Sequence, residues 1–287
     1  MQLSNALSLA VARLTEKQVP SPRMNAELLL RFVLNCDRAY LFAHPERKLT
    51  GEETARYESA LAKRASGVPA QYITGHQEFW GMDLIVTPDV LIPRPETEHV
   101  IEAVLEILMS DNPKLQGPRS EVRIADVGTG SGAIALALAK ELPEAKIHAI
   151  DISSAALEIA RANAARLQLE SRIHFHEGNL LEGLTPATFD LVVSNPPYVG
   201  DSEEDQVQLE VRKFEPRNAV FAGSRGIEVI ERLVPQARLA LRPRGWLILE
   251  ISGSIAEDVK KLLRDWEDVS LKPDLQSIPR VAQARKP

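Results

Sequence analysis

The sequence predicts an α/β fold in which a mostly parallel sheet is covered by helices on both faces, preceded by a small helical bundle and a β-hairpin. Three observations carry that reading. From Glu96 onward, short apolar runs alternate with segments of helical spacing, the pattern of repeated strand-helix-strand units. Residues 1–70 show helical spacing alone. Between the two, Gly67, Pro69, Gly75, Gly81, Pro88, Pro93 and Pro95 cut the chain into short pieces.

In the first region, Leu3, Leu7, Ala10, Val11 and Leu14 recur at helical intervals and predict one helix. Ser21-Pro22 starts a second, expected over Pro22–Leu34, with the serine as cap and the proline in the first turn, where its missing N–H is not needed. Thr50 is placed to cap a third helix over Gly51–Ala65. Residues 71–95 are expected to form a hairpin linker, with 83–87 as a strand and with Phe79 and Trp80 packed between the domains. A third region, 96–287, is expected to hold the sheet. Its helices are predicted at 96–109, 132–142, 154–167, 226–241 and 255–266. Its strands are predicted at 122–127, 146–151, 172–176, 189–194, 246–251, 269–273 and 280–285, and 111–120 is read as a loop.

Composition excludes several classes of function. With 287 residues, 44% hydrophobic and 26% charged, the chain can bury one large or two smaller cores and is neither disordered nor fibrous. A formal charge of −6 disfavours a partner held by its phosphate backbone, so no direct nucleic-acid contact is expected. Cys36 is the only cysteine, which excludes an internal disulfide framework and a cysteine-rich metal site, and no metal is expected. No apolar run approaches the ~18 residues of a membrane span. The N-terminus lacks the basic-then-apolar layout of a secretory signal. A cytoplasmic monomer is the expectation.

Two motifs carry chemistry. Gly128-Thr129-Gly130-Ser131-Gly132 falls where a strand ends and a helix begins, so backbone can approach a ligand closely and the helix offers its first amides. Asp151 ends the next predicted strand, where a carboxylate can accept both hydroxyls of a ribose; capping the following helix is its alternative role. Together they point to a nucleoside, without separating S-adenosylmethionine from a dinucleotide. The second motif, Asn195-Pro196-Pro197-Tyr198, follows a buried strand. The prolines stiffen the turn, so the Asn195 side-chain oxygen and the Pro196 carbonyl could each accept one N–H of a planar NH₂ group, with Tyr198 against its flat face. A loop-closing turn is the bland alternative.

These motifs resemble those of S-adenosylmethionine-dependent methyltransferases acting on planar nitrogens. More narrowly, 69–75, 78–81, 90–98, 21–23, 26–29 and Phe214-Glu215-Pro216-Arg217 are similar to the release factor glutamine methyltransferases over nearly the whole chain. The resemblance implies a Rossmann-like, seven-stranded class I methyltransferase sheet over 96–287, a hairpin linker over 71–95, and a helical domain over 1–70 that holds the protein substrate. It implies S-adenosylmethionine as cofactor, S-adenosylhomocysteine as product, and as substrate the glutamine of the Gly-Gly-Gln loop of peptide-chain release factors. Carried over residue by residue, it implies cofactor contacts from Gly128, Thr129, Gly130, Ser131, Gly132, Asp151, Asn179, Leu180 and Asn195. Substrate contacts fall to Arg94, Asn195, Pro196, Pro197 and Tyr198, with Asn195, Pro196 and Tyr198 in the catalytic role.

Asn179 stands where an acidic residue often meets the adenine amino group, and Leu180 where some members carry an aromatic ring. Asn25 replaces an aspartate of the N-terminal signature, and Ser252 lies in a turn that varies. For Arg94, orienting the peptide and pairing with Glu96 or Glu98 are equal expectations. Glu215 is expected either to close over the substrate or to stabilise its loop, and 203–205 to form a solvated loop. The six histidines look scattered, in surface or packing roles. Rival readings are methylation of a ribosomal-protein glutamine or of adenine in DNA, a nucleoside-binding regulatory module without turnover, and an NAD-dependent oxidoreductase. The acidic balance opposes DNA, the intact Asn195 turn opposes a pure binder, and the glycine spacing opposes NAD.

Overall fold

The computed structural model describes residues 1–109 and 122–287; the expected loop at 111–120 lies outside them. Contacts divide the chain into two compact units, one formed by 1–76 with 208–214, the other by 77–207 with 215–287.

The first unit is helical: α1 (Leu3–Glu16), α2 (Pro22–Leu34), α3 (Arg38–Ala43), α4 (Gly51–Ala65) and α5 (Ala70–Thr74). Leu3, Leu14, Leu29, Leu30, Tyr57 and Leu61 form its buried centre, the apolar stripes that the sequence spacing sets on α1, α2 and α4. Thr50 caps α4 and completes a reciprocal box with Glu53, whose carboxylate accepts from the Thr50 amide. Ser21, by contrast, does not cap α2 with its side chain; it sits in the left-handed region at φ 47°. Asn25 works there instead, donating to the carbonyls of Pro20 (2.8 Å) and Ser21 (3.2 Å) while its oxygen accepts from Arg64 Nε. A carboxylate at this position has no N–H to give, so the amide is the group that fits. The buried Arg64 goes on to pair with Glu210 at 2.7 Å, holding the returning segment 208–214 within this unit.

The second unit begins with a hairpin, β1 (His76–Phe79, of which 77–79 belong here) and β2 (Met82–Ile85). Its two-residue turn places Trp80 and Gly81 at φ 52° and 65°, the left-handed values that match the twist of a tight hairpin. Phe79 is buried in the core of this unit rather than between domains, and Trp80 packs at that core's edge, its indole N–H donating to Glu141. After α6 (Glu98–Met109) come β3 (Arg123–Val127), α7 (Ala133–Glu141), β4 (Lys146–Asp151), α8 (Ser154–Arg166), β5 (Ile173–Glu177) and β6 (Phe189–Ser194). A short pair, β7 (Val199–Gly200) and β8 (Phe221–Gly223), follows; of the helices between them in the chain, α9 (Leu209–Phe214) belongs to the first unit and α10 (Arg217–Val220) to the second. The chain ends with α11 (Glu228–Ala240), β9 (Leu241–Glu250), α12 (Ala256–Leu262), β10 (Glu267–Pro273) and β11 (Pro279–Arg285).

The seven-stranded sheet has the order β10-β11-β9-β6-β3-β4-β5; β3, β4, β5, β6 and β9 run parallel, while β11 is antiparallel to both its neighbours. One apolar layer, with Ile101, Val104, Leu136 and Leu138, covers one face; another, with Ile230, Leu233, Val259 and Leu263, covers the other. The strand β9 starts five residues before its expected limit, at Leu241, because Gly245 allows an irregularity in its pairing with β6. A Cβ at Gly245 would stand 2.9 Å from the Asp190 carbonyl oxygen. Helix α12 stops at Leu262, short of the expected 266. Three histidines are not scattered: His148, on β4, meets His174 and His176, on β5, with His148 Nδ1 2.9 Å from His176 Nε2. Among the described residues, no helix is long and apolar enough to cross a membrane.

Candidate active site

In this sheet the strand order reverses about β3: the next strand in the chain lies on one side of it and β6 on the other. That reversal opens a crevice at the carboxyl ends of the strands. The turn after β3 is anchored from beneath by Asp126, which is fully buried. Its Oδ2 accepts from Thr129 Oγ1 (2.6 Å) and from the Ala135 amide (3.1 Å), tying the glycine turn to the first turn of α7. Its Oδ1 has no partner. Burial pushes the carboxyl up to about 7, against the two hydrogen bonds that favour the charged form and with help from the nearby Asp151.

The three glycines of the turn serve different ends. All adopt positive φ. A Cβ built on Gly128 or Gly130 would meet nothing within 4 Å, so there the bare backbone borders open space. At Gly132 a Cβ would lie 3.2 Å from both the Ala160 methyl and Leu136 Cδ1, so that glycine permits helix packing. Asp151, at the end of β4, accepts from the Gly130 amide through Oδ2 and from the Ser153 amide through Oδ1, each at 2.9 Å. Burial raises its pKa in spite of these bonds. Ser153, not Asp151, caps α8 with its side chain.

Sequence reasoning missed Asn163. Fully buried on α8, it donates to the carbonyls of Ser131 (2.9 Å) and Ile85 (3.0 Å) and accepts from the Ile85 amide (2.7 Å), so one amide joins the glycine turn to β2. Nothing in the local pattern marks it: an asparagine on an alanine-rich helix looks like a solvent-facing residue. Beyond β5, Asn179 and Leu180 are held by α11. Arg232 donates to Asn179 Oδ1 at 2.6 Å, and the Leu181 amide donates to the Gln236 side chain at 2.8 Å. Leu180 takes φ 58°, uncommon for a branched side chain. The Asn179 oxygen expected to face an adenine amino group thus already carries one donor.

After β6, Ser194 donates to the Val127 carbonyl at 2.6 Å, fastening the second turn to the first. Asn195 Nδ2 donates to Thr97 Oγ1 at 3.0 Å, and the Tyr198 hydroxyl donates to Glu250 Oε1 at 3.1 Å. Burial and the Glu250 charge push the Tyr198 hydroxyl up, and burial likewise raises Glu250. Arg94 pairs with neither Glu96 nor Glu98. Its partner is Glu215, whose side chain is 1% exposed and also accepts from the Ile92 amide. Glu215 thus ties its loop to the 92–94 segment, and Glu98 accepts from the Trp80 amide.

A cavity of about 340 Å³ lies at this edge. Its walls include Gly128, Thr129, Gly130, Ser131, Asp151, Asn179, Leu180, Asn195 and Pro197. Of the residues singled out in the sequence, Gly132, Arg94, Pro196 and Tyr198 are not in that wall, although Pro196 and Tyr198 belong to the turn that closes it. Thr97 and Arg232, not foreseen, are in it.

Comparison with known proteins agrees with this geometry. The PrmC N-terminal domain family matches residues 5–75, and the methyltransferase small domain family matches 104–213. The release factor glutamine methyltransferase of Koribacter versatilis is 55% identical over 290 aligned positions, covering 100% of this chain and 99% of that protein. The chain belongs to the release factor glutamine methyltransferase family. Other family members are also similar: that of Moorella thermoacetica is 44% identical over 92% of this chain and 90% of its own length. That of Coxiella burnetii is 40% identical over 93% and 92%. Among solved structures, the ribosomal protein L11 methylase of Lactobacillus delbrueckii subsp. bulgaricus aligns with a TM-score of 0.50 at 22% identity, covering 70% of this chain and 84% of that one. A methyltransferase from Pyrococcus furiosus gives 0.50 at 21%, covering 72% and 89%. These two share the methyltransferase fold with the chain, which answers the expectation of a class I sheet.

Proposed function

We propose that the protein methylates the side-chain amide nitrogen of the glutamine in the Gly-Gly-Gln loop of peptide-chain release factors, with S-adenosylmethionine as donor and S-adenosylhomocysteine as product. One observation carries the reading: in a chain of this family, Asn195 and Pro197 share a cavity wall with the glycine turn and Asp151. The residues fit the cofactor. Open space stands over Gly128 and Gly130, where any side chain would intrude, and Asp151 offers a carboxylate beside them for two ribose hydroxyls. Thr129, Ser131, Asn179 and Leu180 complete that wall, and Gly132 contributes by letting α7 pack close to α8.

When bound, S-adenosylmethionine supplies an electrophilic methyl group. The chain's own residues must then make a poor nucleophile attack it. An amide nitrogen lends its lone pair to the carbonyl, so attack turns it tetrahedral and positive and makes its protons acidic. Asn195 Oδ1 and the Pro196 carbonyl would each accept one N–H, bonds that strengthen as charge develops, and the surplus proton departs to water. Tyr198, anchored through its hydroxyl, would present its ring as a wall for the flat amide. Arg94, one-third exposed even while paired, would orient the peptide, and the helical region 1–70 would hold the release factor. The partner is a protein, not nucleic acid, met in the cytoplasm by a monomer.

The test is transfer of labelled methyl from S-adenosylmethionine to purified release factor, beside a factor whose Gly-Gly-Gln glutamine is replaced by alanine. Label on the first alone is the expected result. Label on neither, with cofactor still bound, would discard the substrate.

A further inference from the structure

Asn195 can serve as an acceptor only if its amide is turned the right way round. An asparagine side chain has an oxygen and an NH₂ of nearly the same shape, and a rotation of half a turn would present donors to the substrate instead of an acceptor. The turn itself does not choose between them: the neighbouring prolines have no N–H to offer the oxygen.

One residue outside the motif makes the choice. Thr97, 4% exposed, receives Asn195 Nδ2 on its hydroxyl oxygen at 3.0 Å. Among the described residues no donor is bound to Asn195 Oδ1, and that oxygen is not one of the buried, unpartnered atoms, so it is the end left accessible. The observed bond thus assigns the donor role to Nδ2 and the acceptor role to the Thr97 oxygen.

We infer that Thr97 is a positioning residue that fixes the rotational state of the Asn195 amide: its hydroxyl oxygen takes Nδ2–H, and Oδ1 faces the substrate nitrogen. This rests on the proposed reaction.

The experiment compares wild type with Thr97→Val, which keeps the shape and removes the hydroxyl, and Thr97→Ser, which restores it. Methyl transfer to release factor, KM for release factor, the calorimetric Kd for S-adenosylmethionine and Tm are measured for each. Thr97→Val is expected to lose at least about tenfold in kcat, the scale of a misdirected transition-state partner, with KM and Kd within about threefold of wild type. Thr97→Ser is expected to recover kcat to within about threefold. Undiminished kcat in Thr97→Val, a loss appearing only in KM, Kd or Tm, or a Thr97→Ser enzyme as poor as Thr97→Val would each overturn the inference for Thr97. A wild type that transfers no methyl to release factor overturns the substrate reading together with this one, whereas an active wild type with an equally active Thr97→Val overturns this one alone.

Discussion

The turn after β3 and the turn after β6 face one cavity and are built in opposite ways. The first is made of glycines at positive φ and offers backbone; the second is made of prolines and offers one asparagine side chain. Each is held from below by a buried carboxyl with one unpartnered oxygen, Asp126 under the first and Glu250 under the second. A surface that must lie close to a ligand is made by removing side chains. A group that must present one atom in one direction needs a rigid turn and a polar network behind it, and such a network is costly to bury unless its bonds are made.

Breaking the second turn should have the larger effect. Asn195→Ala is expected to lower kcat by about two orders of magnitude or more, with the cofactor Kd within a few fold of wild type, measured by methyl transfer and calorimetry; near-normal turnover would refute its acceptor role. In the first turn, Asp151→Ala is expected to weaken cofactor binding by about tenfold or more, read as Kd, on the scale of lost hydrogen bonds to a charged acceptor. An unchanged Kd would remove Asp151 from the ribose.

Within the glycine turn the comparison can be sharpened further. Gly130→Ala places a methyl in open space, so apart from the backbone strain of an alanine at φ 55° it should act mainly on Kd. Gly132→Ala presses a methyl on Ala160 and Leu136 and should cost about 1–3 kcal/mol of stability, seen as a lower urea midpoint. Equal Tm losses in the two variants would erase the distinction.

The smallest expected effect is on pH dependence. Burial first, then the neighbouring His176 and His174 with Arg123 and Lys146, depress His148 from 6.5 to about 4. The unfolded chain therefore binds more protons between those values, and stability falls as pH drops through that window. With half the ring screened by solvent, the loss is about 1 kcal/mol. Asp126, raised to about 7, acts with the opposite sign: its neutral form suits the fold, so its contribution improves as pH falls through 7. His148→Gln should flatten the acid limb of urea midpoints taken from pH 7 to 4, and an unaltered limb would show that the histidine cluster does not titrate with unfolding.

Local patterns were legible where a local cause decides the structure. The helices Pro22–Leu34 and Gly51–Ala65 and the strands at 146–151 and 189–194 follow from apolar spacing, caps and buried β-branched runs. The short helices α3, α5, α9 and α10 were not legible, because four to six residues carry too little periodicity to identify a helix. The glycine turn, Asp151 and Asn195 announce themselves as strings of unusual residues at the ends of strands. Asn163, Thr97, Arg232 and Glu250 do not: each is an ordinary residue in its own segment.

By itself, then, the sequence determined the order of elements, the two turns and the chemistry of the groups they carry, since these depend on neighbours within a few residues. The pairing of Arg94 with Glu215, the gathering of three histidines and the link from Asn195 to Thr97 were decided by tertiary structure alone. Their partners stand 121, 28 and 98 residues apart, and a hydrogen bond requires approach to within about 3 Å, which only the packed sheet brings about.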